Sequence, residues 1–210
     1  MGLVMKEKCQ ILSTFIWVLS LSVLLTIYLA WLFYPIEVDY LKISQVIFMT
    51  KKSILYNFNG LMDYLTNPLV KSLKFASFSA SKAGLAHFAD VKGLFHLSQV
   101  LFVLSSLITL PFLYQNMKGR TLGLYSRFFG LAIVLPLAIV LMAFLMGFDN
   151  FFVLFHHILF AGKDNWSFDP LTDPVIWILP EAFFMHCFIL FFILYEAIFI
   201  GLYSTSKRRR

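Results

Sequence analysis

The chain has 210 residues, 60% of them hydrophobic and 13% charged, with 25 phenylalanines and a formal net charge of +6. A soluble domain carries about 25% charged residues, so this composition excludes an ordinary water-soluble enzyme. It also excludes a nucleic-acid binder, which would need a basic, solvated face. The two cysteines, Cys9 and Cys187, fall in distant segments and exclude a disulfide framework.

Four apolar runs are long enough to cross roughly 30 Å of hydrocarbon as helices: Ile11–Phe33, Leu94–Tyr114, Phe128–Phe148 and Ile176–Tyr203. The first is too long for a cleavable signal peptide, and no small-x-small site follows it. "MGLVMK" carries Lys6 where a myristoylation signal wants Ser or Thr. The predicted fold is an α-helical integral membrane protein with four transmembrane helices and a small mixed α/β extracytoplasmic cap. Its segments are 1–34 (N-terminus and first span), 35–92 (cap), 93–148 (second span, loop, third span), 149–175 (interfacial loop) and 176–210 (fourth span and basic tail).

In chain order, Pro35 is expected to close span one. "VIFMTKKSILYNFNGLMDYL" has helical spacing and predicts an amphipathic helix; "NPLVKSLKFASFSAS" opens with a turn and then alternates, which predicts a strand. Asp90 precedes "VKGLF" and reads as the cap of span two. Pro136 should kink span three. The aromatic stretch Phe151–Phe160 suits the membrane interface. Asp173 and Pro174 read as an N-cap with proline at the first helical position, and Pro180 breaks or kinks the start of span four.

Orientation follows from the basic residues. Lys6, Lys8, Lys118, Arg120, Arg127 and Lys207–Arg210 all fall on one side of a four-span chain, which the positive-inside rule makes cytoplasmic. Every arginine is in that set. The long segment 35–92 holds seven lysines, but long segments weigh less in the rule.

All five histidines, His87, His96, His156, His157 and His186, then lie in the outer half, together with Asp90, Asp149, Asp164, Asp169, Asp173 and Glu181. This clustering is the functional signal. Two chemistries fit it. A zinc-type site could use His87, Asp90 and His156 or His157, although no HExxH occurs. Alternatively two histidines could act as general acid and base near neutral pH. No GxSxG and no motif-grade Ser or Cys is present, so an enzyme of this kind would leave the nucleophile to its substrate. His96 and His186 read as packing residues within spans, Asp169 and Asp173 as turn and cap residues, and Lys92 as a side chain snorkelling to the interface.

The blocks "HFADVKGLF" at 87–95 and "FHHILFAGKDNWSFDPLTDPVIWILPEAFF" at 155–184 resemble the signature of a bacterial membrane family, the lipoprotein intramolecular transacylases. The matching residues are His87, Asp90, Val91 and Lys92, then Phe155, His156, Phe160, Trp166, Asp169, Pro170, Leu179 and Pro180. The four-span plan and long first outer segment match too. The resemblance implies an acyltransferase that moves the sn-2 acyl chain of a diacylglyceryl-cysteine onto the cysteine α-amine, giving lyso-form lipoprotein. It implies His87 and His156 as a catalytic pair, with His157 the lower-ranked choice. Asp90, which could reach His87 and fix its tautomer, Lys92, Trp166 and Asp169 would support them, Lys92 or the Trp166 indole as an oxyanion donor. No cofactor or metal is implied. The partners are a diacylated lipoprotein and membrane lipid, not nucleic acid, and the location is the plasma membrane of a Gram-positive bacterium, with the site at the outer face. The competing readings are a metal-dependent membrane hydrolase and a non-enzymatic transporter or assembly subunit.

Overall fold

The computed structural model describes residues 4–208, so Met1–Leu3 and the last two arginines of the basic tail lie outside the described residues. The helices are α1 (Met5–Tyr40), α2 (Ile43–Val46), α3 (Lys51–Thr66), α4 (Lys82–Lys118), α5 (Ser126–Met146), α6 (Phe148–Leu159) and α7 (Glu181–Arg208). Two 3-10 helices, Leu122–Tyr125 and Pro174–Ile178, precede α5 and α7. Four helical segments, Met5–Tyr40, Lys82–Lys118, Leu122–Met146 and Glu181–Arg208, are long and apolar enough to cross a membrane. All four predicted spans are therefore present, mostly with longer helices than the apolar runs alone.

The described residues divide into two compact units. One comprises 4–26, 97–145 and 189–208. Its core is Val18, Phe112, Leu122, Tyr125, Phe129, Tyr195 and Phe199. Polar side chains cross-link its helices: the Trp17 indole donates to Ser106 Oγ at 2.8 Å, Ser13 Oγ donates to the Ser105 carbonyl, and Tyr195 donates to the Ala132 carbonyl. With no water to compete, such bonds hold apolar helices together where burial alone gives no preference between helix and lipid. Leu104, Leu107, Leu137, Leu141 and Phe144 stay exposed on its flanks, as lipid-facing residues do.

The other unit comprises 27–96 and 146–188. Tyr34 on α1 stacks on Phe58 of α3, Phe183 of α7 stands edge-on to Tyr34 at 5.3 Å, and the Tyr34 hydroxyl donates to the Ile178 carbonyl. This packing explains one departure from expectation. Pro35 does not close span one; it sits inside α1, which runs on to Tyr40. Proline in a helix interior costs about 3 kcal/mol, but Tyr34 and Val38, both fully buried, lock the helix on either side of it.

The α/β cap is not found: the described residues contain no strand. The amphipathic helix is present as α3, capped by Thr50, whose side chain accepts from Ser53 N. Residues 67–81 are irregular. A strand needs a partner for its N–H groups, and here Asn57 takes that place. Its buried side-chain carbonyl accepts from Ala76 N and Ser77 N, while its amide donates to the Ser53 carbonyl and Ser77 Oγ. Asp90 does not cap span two either, because α4 begins eight residues earlier, where Ser81 Oγ accepts from Gly84 N. Pro136 lies inside α5 as expected. Pro174 opens only a 3-10 turn, and α7 starts after Pro180.

Candidate functional site

His87 lies near the start of α4 and His156 near the end of α6, and both belong to the second unit. The elements are aimed by neighbouring packing. Phe148, Phe151 and Phe155 of α6 all pack against Phe188 of α7, at 5.7, 5.2 and 4.8 Å. On the adjoining face of α6, Phe152 also packs on α7, against Phe184 at 5.4 Å, and His156 meets His87 of α4. At the start of α4, Asp173 Oδ1 accepts from Ser81 N at 2.7 Å, tying the segment before α7 to the α4 cap. Gly84 makes this approach possible: a Cβ there would overlap the Asp173 carboxylate and the Phe168 ring.

The two imidazoles lie 5.9 Å apart, centroid to centroid, and both are nearly excluded from solvent, at 5% and 8% exposure. Aromatic rings surround them. Phe160 stands edge-on to His87 at 4.8 Å and also meets His156 at 5.8 Å; Phe168 flanks His87, and Phe152 and Trp166 flank His156 at 4.3 and 5.0 Å. The ring nitrogens are differently engaged. His156 Nδ1 lies 2.8 Å from the Phe152 carbonyl. A carbonyl only accepts, so Nδ1 carries the proton and the neutral ring keeps a lone pair on Nε2. His87 Nδ1 is buried with no hydrogen-bond partner among the described residues. Burial holds the His156 imidazole below its ordinary range, and the neighbouring His157 pushes the same way against the bond to Phe152. Two buried imidazoles thus meet within an aromatic enclosure, one with a defined tautomer.

The other sequence candidates are differently placed. His157 is exposed on α6, its ring edge-on to Trp166 at 5.1 Å. Asp90 does not bond His87; its two oxygens accept from Lys163 Nζ at 2.6 Å and Asn165 Nδ2 at 3.1 Å. The Trp166 N–H is taken by the Lys163 carbonyl at 3.1 Å, so the indole contributes its face to His156 rather than a free donor. Lys92 Nζ donates to the carbonyls of Asn67 and Val70 and sits 4.3 Å over the Tyr64 ring; it pins the turn after α3 instead of standing free as an oxyanion donor. Asp169 is a turn residue, accepting from Leu171 N. Among the described residues no three His, Cys, Asp or Glu side chains form a metal-holding group.

Sequence reasoning missed Lys163 and Asn165, which tie the loop after α6 to Asp90. It also missed the hydrogen bond between His186 Nδ1 and Glu37 Oε2, 2.9 Å apart. A lysine and an amide in "GKDNW" carry no chemical signature by themselves, and only the fold brings them to α4.

One protein family, described as lipoprotein intramolecular transacylase Lit, matches residues 8–184. Among solved structures, the membrane-integral Lit of Bacillus cereus superposes with a TM-score of 0.84 and 30% identity, covering 98% of this chain and 95% of that one. Two further structures of that protein, carrying a histidine-to-arginine and a histidine-to-alanine mutation, give TM-scores of 0.79 and 0.78 at 28% and 29% identity. They cover 98% and 97% of this chain, and this chain covers 92% and 93% of them. No curated protein sequence matches.

Proposed function

The chain belongs to the lipoprotein intramolecular transacylase family and is a multi-pass membrane acyltransferase, and on that premise we propose that it moves the sn-2 acyl chain of a diacylglyceryl-cysteine to the cysteine α-amine, using His87 and His156. The observation that carries the residue choice is the meeting of these two rings, 5.9 Å apart, in an enclosure of aromatic side chains.

The chemistry balances within one substrate. The amine nitrogen attacks the ester carbonyl, an amide C–N bond forms, the ester C–O bond breaks, and the sn-2 oxygen leaves as a hydroxyl. From the neutral amine, nitrogen loses one proton and the sn-2 oxygen gains one, so mass and charge are unchanged; the ammonium form first gives one further proton to solvent. His156 Nε2 is the base, because Nδ1 is committed to Phe152. A neutral imidazole can accept a proton at one nitrogen and give one from the other, so His87 relays the proton toward the departing oxygen. The α-amine has an ordinary pKa near ~7.7–8.0, so only one modest proton transfer precedes attack. Positioning does much of the remaining work: amine and carbonyl must be held about 3 Å apart, and the aromatic walls restrict the headgroup to that geometry.

The basic residues support an orientation with both termini cytoplasmic and the histidine pair at the extracytoplasmic face, where the substrate's headgroup and amine lie. The test is mass spectrometry of a lipoprotein's N-terminal lipopeptide from a host lacking any other N-acylating enzyme. Expression of this chain should move one acyl group onto the amine without changing total mass. A free amine with both O-acyl chains retained, in a well-expressed sample, overturns the reading.

A further inference from the structure

Two of the buried polar atoms left without a partner among the described residues, His87 Nδ1 and Asn165 Oδ1, occur in one corner of the second unit. Folded proteins leave few such atoms, and each asks for an explanation. Asn165 precedes Trp166, whose ring lies against His156, and bonds to Asp90, three residues beyond His87 on α4. The amide cannot be turned around: Asp90 presents acceptors only, with Lys163 already on its other oxygen, so Nδ2 must face the carboxylate. That leaves the side-chain carbonyl as a fixed, buried acceptor on a residue held between Asp90, one helical turn from His87, and Trp166, whose ring meets His156.

We propose that Asn165 Oδ1 accepts a hydrogen bond from the substrate's α-amine, and so is a binding and positioning residue for the acyl acceptor. The proposal rests on the acyl-transfer reading. The amine is the donor-rich group of the substrate, whereas the ester and thioether offer acceptors only, which a carbonyl cannot bind. A neutral amide suits the step better than a carboxylate would: it orients an N–H while doing little to hold the amine in its unreactive ammonium form. Asp90 acts through Asn165, setting the direction of its amide, and Lys163 completes the arrangement.

The test uses full-length enzyme carrying His87→Ala, so that bound lipopeptide is not consumed, in mixed micelles. Dissociation constants are measured for a diacylglyceryl-cysteine lipopeptide and for its des-amino analogue, which has hydrogen in place of the α-amine. The free-amine peptide should bind about tenfold tighter, the size of one hydrogen bond. Asn165→Leu, nearly isosteric, should bring that preference below about twofold while leaving des-amino binding unchanged. Lys163→Met loosens the same loop without removing the acceptor and should keep the preference. A preference that survives Asn165→Leu overturns the proposal, as does equal loss in Lys163→Met, or no preference in the parent. Acyl transfer by the unmutated enzyme is assayed separately: if it converts no lipopeptide, the reaction reading fails, whatever the amine preference shows.

Discussion

The imidazoles of His87 and His156 face each other across 5.9 Å, with Phe160 touching both rings. Measured between ring centres, that separation makes the two buried imidazoles near neighbours, so a reacting group served by both would lie beside the pair rather than between the rings. His87→Ala and His156→Ala should each lower product formation at least a hundredfold, the lower range for general acid–base groups, with protein level and membrane insertion unchanged. His157→Ala should retain activity within about threefold, since that ring is exposed and touches the face of Trp166 rather than His87. Quantifying amide-linked product by mass spectrometry checks this; a dispensable His156 with an essential His157 would reverse the residue choice.

Acidification should destabilise the protein through His156. Burial lowers its pKa in the folded state, while the unfolded chain protonates near ~6.5. Below that pH the unfolded state binds the proton first, so stability rises with pH through this window. The contribution is fully present above the unfolded value and is lost as pH falls through the folded one. Thermal unfolding in detergent should therefore show a lower midpoint at pH 5 than at pH 7.5, and His156→Leu should flatten the dependence. Identical slopes for the two proteins would mean that this imidazole does not carry the effect.

Asp90 ties the loop after α6 to α4 through Lys163 and Asn165 rather than orienting His87. The lysine pair is half exposed, and such pairs contribute only about 0–1 kcal/mol to stability. Its value is geometric, because the loop carries Trp166 and Phe168. Lys163→Met should reduce the initial rate about tenfold and Asp90→Asn at least as much, because it also disturbs the bond from Asn165, and the double variant should lose little more than Asp90→Asn alone, since both remove the Lys163 contact. Additive losses in the cycle would show that the two residues act separately.

Much of this was legible in the sequence, because hydropathy reports burial in lipid directly. The four spans and the amphipathic α3 follow from composition and spacing, whereas the pairing of His87 with His156 is what the resemblance carried by the two motif blocks implies. Three features were not legible, each for a physical reason. Pro35 continues α1 because Tyr34 is locked by contacts with Phe58, Ile178 and Phe183, far along the chain, and Val38 is buried. The predicted strand at 67–81 is irregular because one asparagine, Asn57, satisfies the backbone donors that a partner strand would otherwise take. Asp90 reads as a cap from its position before an apolar run, whereas its partners lie 73 and 75 residues away. Local pattern finds elements; it does not find a contact closed by a distant loop.

Gly84 offers the sharpest test of the loop's seat. It lies three residues before His87, where the 168–173 segment comes so close that a Cβ would overlap the Asp173 carboxylate and the Phe168 ring. Gly84→Ala should therefore displace that segment, although alanine is the better helix former by about 1 kcal/mol. Overpacking of this kind costs about 1–3 kcal/mol, so the net change in stability is small or unfavourable, while the wall of the histidine enclosure shifts. Activity should fall at least tenfold, the scale on which small misplacements act. Gly93→Ala, on the same helix with open space around its Cβ position, should stay near full activity. Comparing initial rates and thermal midpoints of the two variants separates a local steric effect from a general gain in helix propensity. Full activity in Gly84→Ala would mean that the loop can move without disturbing the histidine pair.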